Sequence, residues 1–173
     1  MSDRIDEPLE VYIVRVLWTG RVVHILWYYG KPDGVIVNSD KRIVTHESRE
    51  AIHKFALESG MTVSERESVD HDFDCVRKWT HNPSAAGNIP EVFLNCWNML
   101  DDIRVSVGQA GNSCVSRNDE NHAYEALFRC TSAVEIVYHR ASDPYFTYTD
   151  VQVTRQVLSQ GLLVFAANLQ EMS

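Results

Sequence analysis

Residues 88–108, NIPEVFLNCWNMLDDIRVSVG, decide the fold, because they carry the strongest helix signal in the chain. Asn88 is a suitable N-cap, and Glu91 completes an N-x-x-E capping box with it. Gly108 supplies a residue that can turn left-handed beyond the last helical turn. These signals predict a helix over residues 89–107.

The apolar side chains of this helix occupy two adjacent rows, which form a stripe too broad for a helix on the protein surface. The rows are Val92, Cys96, Met99, Ile103 and Phe93, Trp97, Leu100, Val107. We therefore expect a central helix, with other elements packed on two sides and Trp97 largely buried. Its polar flank comprises Asn95, Asn98, Asp101, Asp102 and Arg104.

The segment before residue 46 has the composition of an antiparallel meander, with β-branched and aromatic residues that lack helical spacing. Strands are predicted at residues 9–18, 21–29, 35–37 and 42–45. Thr19 and Gly20 form a two-residue turn between the first two strands. Turn residues also separate the later strands.

The spacing of apolar residues becomes helical after residue 46. Helices are predicted at residues 48–59, 70–81, 89–107 and 119–139, although residues 134–138 fit a strand equally well. A short strand is expected at 61–64, and a last helix begins at Thr149 with a T-x-x-Q box to Gln152. The chain is thus predicted to be one α+β domain over residues 1–173, β-rich over 9–45 and mainly helical over 46–170.

Composition limits the function of these 173 residues. The formal net charge of −8 argues against direct nucleic-acid binding, which needs a basic surface, and permits a basic protein partner. The N-terminal residues do not resemble a signal peptide, and no stretch approaches the ~20 apolar residues of a membrane span. Because the four cysteines form no C-x-x-C pair, we expect a protein of the reducing cytoplasm.

No sequence motif indicates catalysis. The run Asp70-His71-Asp72-Phe73-Asp74 is rich in potential metal ligands, but it lacks the glycine and terminal glutamate of a calcium loop. Acidic residues at the start of a helix explain it equally well. No nucleophile elbow, Walker loop or dinucleotide fingerprint is present. We therefore expect neither an enzyme nor a bound metal or cofactor.

Two groups of residues suggest a binding surface instead. The acidic group lies around two predicted helices and contains Asp70, Asp72, Asp74, Asp101 and Asp102. The aromatic group lies in predicted loops or strand edges and contains Trp27, Tyr29, Tyr145 and Tyr148. Tyr and Trp are enriched among the residues that contribute most to protein interfaces. The alternatives are a solvated acidic face and aromatic side chains that pack in the core.

The segment IPEVFLNCWNMLDDI is similar to stretches in bacterial immunity proteins, including those paired with toxins of contact-dependent growth inhibition systems. The similarity covers residues 88–104. It implies a cytoplasmic protein that binds a cognate toxin domain, often a nuclease, and blocks its active site or a substrate surface. The acidic composition fits such a partner, because a nuclease presents a basic surface to phosphate.

Two other functions remain open at this point. One is a small cytoplasmic enzyme, hydrolase-like, whose active site assembles only in three dimensions. The other is a structural interaction subunit without a toxin partner. The sequence also leaves open whether the protein forms a homodimer.

Overall fold

The computed structural model describes residues 8–66, 69–83, 90–131 and 147–169, and these contain six strands and five helices. The strands are β1 Glu10–Trp18, β2 Arg21–Tyr28, β3 Gly34–Val35, β4 Thr45–His46, β5 Thr62–Val63 and β6 His71–Asp72. The helices are α1 Arg49–Glu58, α2 Phe73–His81, α3 Pro90–Ser106, α4 Arg117–Arg129 and α5 Tyr148–Asn168. The predicted α+β class, with strands first and a mainly helical remainder, is confirmed.

The long hairpin of β1 and β2 forms the centre of the sheet. Its two turn residues, Thr19 and Gly20, have φ values of 51° and 75°. Positive φ at both positions is the pattern of a type I′ turn, whose twist matches that of the flanking strands. The turn fixes the antiparallel register, so that Tyr12 lies opposite Trp27.

Short strands flank the central hairpin on both edges. β3 and β4 both pair antiparallel with β2, and a bridge between Val37 and Ile43 closes the predicted second hairpin. β5 and β6 both pair parallel with β1. The sheet is therefore antiparallel over residues 9–45, as predicted, and becomes mixed where the later chain returns to it.

Helices cover both faces of the sheet. On one face α1 packs through Ile52 and Ala56 against Val11, Ile13 and Leu26. On the other face α2, α3, α4 and α5 form a larger core. Burial on both faces explains why β1 reads as a nearly continuous apolar run rather than an alternating one.

Helix α3 lies at the centre of the larger core, and Trp97 is 2% exposed, as predicted. Two residues of α3 differ from the sequence-based assignment. Leu94, outside both predicted apolar rows, is buried, and Arg104, assigned to the polar flank, is buried too. Arg104 is held inside by two carboxylates described below. The predicted N-cap, Asn88, lies outside the described residues.

Helix α5 crosses α3 at close range. A Cβ atom at Gly161 would lie 2.9 Å from the Cβ of Leu100. From the sequence, Gly161 weakened the prediction of a continuous helix, because glycine has low helix propensity. The structure gives the reason for it, since only glycine lets the two backbones approach this closely.

Three predicted helix boundaries are wrong. The second helix begins at Phe73 instead of residue 70, because His71 and Asp72 pair with β1. The last helix begins at Tyr148, and its capping box joins Thr147 to Asp150 rather than Thr149 to Gln152. The helix predicted over 119–139 starts at Arg117 and ends at Arg129, and residues 132–146 lie outside the described part of the chain.

Candidate partner-binding site

The polar flank of α3 separates two surface depressions. Asp101 and Asp102 point to different sides of the helix, as their helical spacing predicts. Asp101 lines a groove toward α4, and Asp102 lines a cleft toward the exposed ends of β1 and β2. Asn98 lines both. The two adjacent acids therefore face different depressions in the surface.

The cleft on the strand side, called the aromatic cleft below, has a volume of about 390 Å³. Its lining includes Tyr12, Trp27, Tyr29, Val69, His71 and Asp102. Its volume lies at the lower end of the range for small-ligand sites, which suits one inserted side chain.

Three aromatic rings form one wall of the aromatic cleft. Tyr12 lies opposite Trp27 across the hairpin, and Tyr29 follows Trp27 by two residues, so all three share one face of the sheet. The ring centroids of Trp27 and Tyr29 are 4.2 Å apart, and those of Tyr12 and Tyr29 are 5.5 Å apart, both edge to face. Despite these contacts Tyr29 is 65% exposed. The cluster therefore presents a fixed aromatic surface to solvent.

Asp102 places a carboxylate beside this wall. Trp27 Nε1 donates a hydrogen bond of 2.8 Å to Asp102 Oδ2. Burial raises the pKa of the Asp102 carboxyl, and the hydrogen bond from Trp27 opposes that rise. Among the described residues, no basic side chain forms an ion pair with it. Asp102 is thus a half-buried acid whose charge has no described counterion.

His71 adds a buried polar group to the same cleft. Its side chain comes from β6 and is 8% exposed. Burial lowers the pKa of His71 to about 4, against a smaller opposing effect from Asp70 and from a hydrogen bond to the backbone of Asn95. The imidazole is therefore neutral at pH 7. Its Nδ1 atom has no hydrogen-bond partner among the described residues.

The groove on the α4 side has a different electrostatic character. It has a volume of about 700 Å³. Nη1 of the buried Arg104 lies 3.2 Å from Asp101 Oδ1 and 3.8 Å from Glu120 Oε1. Burial raises the pKa of Asp101, and the charge of Arg104 opposes this effect. Trp97 Nε1 also donates to Asp101 at 3.1 Å. Because Asp101 already has a counterion, it is less suited than Asp102 to attract a basic partner.

The structure distributes the acids of the 70–74 run over three different roles. Asp70 is exposed and forms an ion pair with Arg15 on the neighbouring strand. Asp72 caps α2 and accepts from the Cys75 amide at 2.7 Å. Asp74 is buried, and its two carboxylate oxygens accept hydrogen bonds from the Thr19 and Gly20 amides. Of these acids, Asp70 is the most exposed, and a partner that contacts it at the edge of the aromatic cleft competes with Arg15.

The predicted aromatic residues also separate in space. Trp27 and Tyr29 line the aromatic cleft. Tyr148 lies in the first turn of α5, is 79% exposed and is not among the residues that line the cleft. Tyr145 lies outside the described residues. The structure thus brings Trp27, Tyr29 and Asp102 into one site, although Asp102 lies 75 positions after Trp27 in the sequence.

Sequence reasoning missed Tyr12, Val69 and His71 as members of this site. A signal for Tyr12 was present, because a two-residue turn at 19–20 fixes the register that sets residue 12 opposite residue 27. Val69 is 58% exposed and His71 is buried, but both reach the cleft only because β6 pairs with β1. That parallel pairing has no local sequence signal.

Two further structural properties bear on the class of function. In the described part of the chain, no three side chains of His, Cys, Asp or Glu converge as metal ligands would. Within the same ranges, no helix combines the length and apolar character needed to cross a bilayer.

Comparison with protein-family models, with curated protein sequences and with solved structures finds no significant match to this chain.

Proposed function

We propose that this chain is an immunity protein that binds a basic toxin domain, a nuclease by class, and neutralises it in the cytoplasm. It acts as a stoichiometric binder and not as an enzyme. The contact surface is the aromatic cleft together with its exposed rim at Tyr29, Val69 and Asp70.

One observation carries the proposal, namely the exposed aromatic and aliphatic surface beside a carboxylate that forms no ion pair with any described residue. Tyr29 and Val69 are 65% and 58% exposed. Both line the cleft that holds Asp102. Rigid aromatic side chains are common among the residues that dominate binding energy, because they bury a large area at a low entropic cost. A carboxylate next to them selects a positively charged partner.

The charge of the whole chain supports the same partner. A net charge of −8 attracts a basic protein from a distance and repels nucleic acid. A nuclease domain must present positive charge to the phosphate backbone, so an acidic protein can cover that surface. The resemblance of residues 88–104 to immunity proteins led to the same partner independently of the cleft.

The test uses a candidate toxin domain, sought in a reading frame next to the gene for this chain. Co-expression of this chain should restore growth of cells that produce the active toxin. Titration calorimetry with a catalytically inactive toxin should give a one-to-one complex. Association should slow as salt rises from 0.1 M to 1 M, because the Debye length falls from about 10 Å to about 3 Å.

Matched variants locate the interface. Tyr29→Ala should weaken the complex by about 30-fold or more, as expected for an exposed aromatic side chain that becomes buried at the interface. Tyr148→Ala removes a still more exposed tyrosine away from the cleft and should change the affinity less than twofold. Loss of binding in the Tyr148 variant alone would place the interface at α5. Absence of any complex at micromolar concentrations would contradict the proposed function.

A further inference from the structure

We propose that the aromatic cleft is an anchor pocket for a guanidinium group, which an arginine side chain of the partner inserts between Asp102 and the aromatic wall. This inference rests on the proposed function and specifies the chemistry that its binding surface recognises.

Asp102 has unused hydrogen-bonding capacity. Oδ2 accepts the indole N–H of Trp27, and no hydrogen bond or ion pair within the described ranges engages Oδ1. A half-buried carboxylate without a counterion is costly, because burial removes part of its hydration. A cation that enters the cleft would restore that lost stabilisation.

His71 adds a neutral ring to the wall of the same cleft. The imidazole lies in the cleft wall and is only 8% exposed. A hydrogen bond to the backbone of Asn95 holds it in place. Its Nδ1 atom has no hydrogen-bond partner among the described residues and is itself shielded from solvent, so His71 contributes a neutral ring to the wall and not an acceptor for a ligand. The cleft therefore offers one charged acceptor, Asp102, beside a neutral imidazole that does not repel a cation.

The chemistry of the wall selects a guanidinium over an ammonium group. A guanidinium is planar, carries five N–H donors and is weakly hydrated, so it stacks on aromatic rings while it donates to several acceptors. An ammonium group is compact and strongly hydrated, and it gains less from the faces of Tyr12 and Trp27. An anion would meet the carboxylate of Asp102, which repels it.

One basic side chain of the chain itself, Arg66, also lines the cleft. It forms no ion pair with Asp102 in the structure. Its positive charge repels an incoming guanidinium and lowers the affinity of the pocket. Arg66→Gln should therefore strengthen the binding of a guanidinium probe.

The experiment titrates the full chain with N-acetyl-arginine amide and follows the indole N–H signals by nitrogen–proton NMR. Trp27→Phe identifies the Trp27 signal among the four tryptophans. That signal should shift saturably with a Kd of about 1 mM, the affinity expected for a ligand of this size. N-acetyl-citrulline amide has nearly the same shape without the charge, and it should bind at least tenfold more weakly. N-acetyl-lysine amide should fall between the two.

Asp102→Asn is the decisive variant, because the amide oxygen still accepts the Trp27 N–H while the charge is removed. It should weaken binding of the arginine probe at least tenfold. Asp101→Asn is the matched control on the other side of α3, and it should leave binding unchanged. Unperturbed indole signals of Trp18 and Trp79 show that each variant is folded, because the indole N–H groups of Trp27 and Trp97 bond directly to Asp102 and Asp101.

Three results with the wild-type chain and with Asp102→Asn would overturn the inference. These are equal responses to the arginine and citrulline probes, unchanged binding by Asp102→Asn, and no saturable shift at 20-fold the expected Kd. Weaker probe binding by Arg66→Gln would assign recognition to Arg66 and overturn it as well. The proposed function can fail separately. If the chain binds the probe but forms no complex with the toxin, only the proposed function is refuted. A toxin complex that Asp102→Asn leaves unchanged refutes only the pocket.

Discussion

Replacing Asp74 by asparagine tests the structural role that the fold assigns to this acid. Asp74 is buried, and its oxygens lie 2.9 Å from the Thr19 amide nitrogen and 2.7 Å from that of Gly20. An asparagine retains one acceptor oxygen and turns an N–H₂ group toward the other backbone N–H. One turn amide then loses its acceptor, and the charge-assisted character of both hydrogen bonds is lost.

The magnitude follows from these two contacts. A hydrogen bond to a charged group contributes about 1.5–3 kcal/mol, and a buried donor left without an acceptor costs about 1–3 kcal/mol. The free energy of unfolding should therefore fall by about 2–4 kcal/mol. The ion pair of Asp74 with the half-exposed Arg77 adds little, since such pairs contribute less than about 1 kcal/mol. At about 2–4 °C per kcal/mol for a chain of this size, the melting temperature should drop by roughly 4–16 °C.

Urea unfolding followed by circular dichroism measures the free energy, and amide hydrogen exchange locates the change. The Thr19 and Gly20 amides should exchange faster in Asp74→Asn. Asp70→Asn is the control, because Asp70 is an exposed acid four positions away, and its effect should stay below about 1 kcal/mol. Equal stabilities of the two variants would refute the assignment of Asp74 to the turn.

Three further predictions concern the core and the pH dependence of stability. Trp97→Ala should lower the free energy of unfolding in urea by about 3–5 kcal/mol, whereas Tyr29→Ala, at an exposed ring, should lower it far less. Wild-type stability of the Trp97 variant would refute the central placement of α3. Gly161→Ala should destabilise the protein by about 1–3 kcal/mol despite the better helix propensity of alanine, and Leu100→Ala in the same chain should relieve part of the clash. The pKa of His71, about 4 when folded and 6.5 when unfolded, means that the unfolded state binds an extra proton between those values. The free energy of unfolding should therefore fall by on the order of 3 kcal/mol from pH 6.5 to pH 4, and His71→Gln should remove this part of the pH dependence.

The elements that the sequence predicted correctly depend on local signals. The first two strands and their turn follow from β-branched residues around Thr19 and Gly20, and α3 follows from its two apolar rows. The burial of Trp97 follows from the breadth of that apolar stripe. These features need no knowledge of distant partners, which is why they could be read from the sequence.

The acids of the 70–74 run show where local reading fails. A surface carboxylate, an N-cap and a carboxylate that holds a distant turn have the same sequence appearance. The pairing of β6 with β1 decides among these roles, because it brings Asp74 to the turn at Thr19 and Gly20. Loop closure over more than 50 residues leaves no trace in a local pattern.

The candidate site was predictable in part for the same reason. Trp27, Tyr29 and Asp102 were selected by residue type, and their contact through the Trp27 indole emerges only in three dimensions. Arg104 was assigned to solvent because arginine is rarely buried, and only its two carboxylate partners explain its position.

The most direct test of the proposed function is the affinity of the inactive toxin domain for four variants measured side by side. Tyr29→Ala and Asp102→Asn change the aromatic cleft, while Tyr148→Ala and Asp101→Asn make the same changes elsewhere. We predict affinities reduced about 30-fold or more for the first pair and within twofold of wild type for the second. Equal affinities for all four variants, or losses confined to the second pair, would contradict binding through the aromatic cleft.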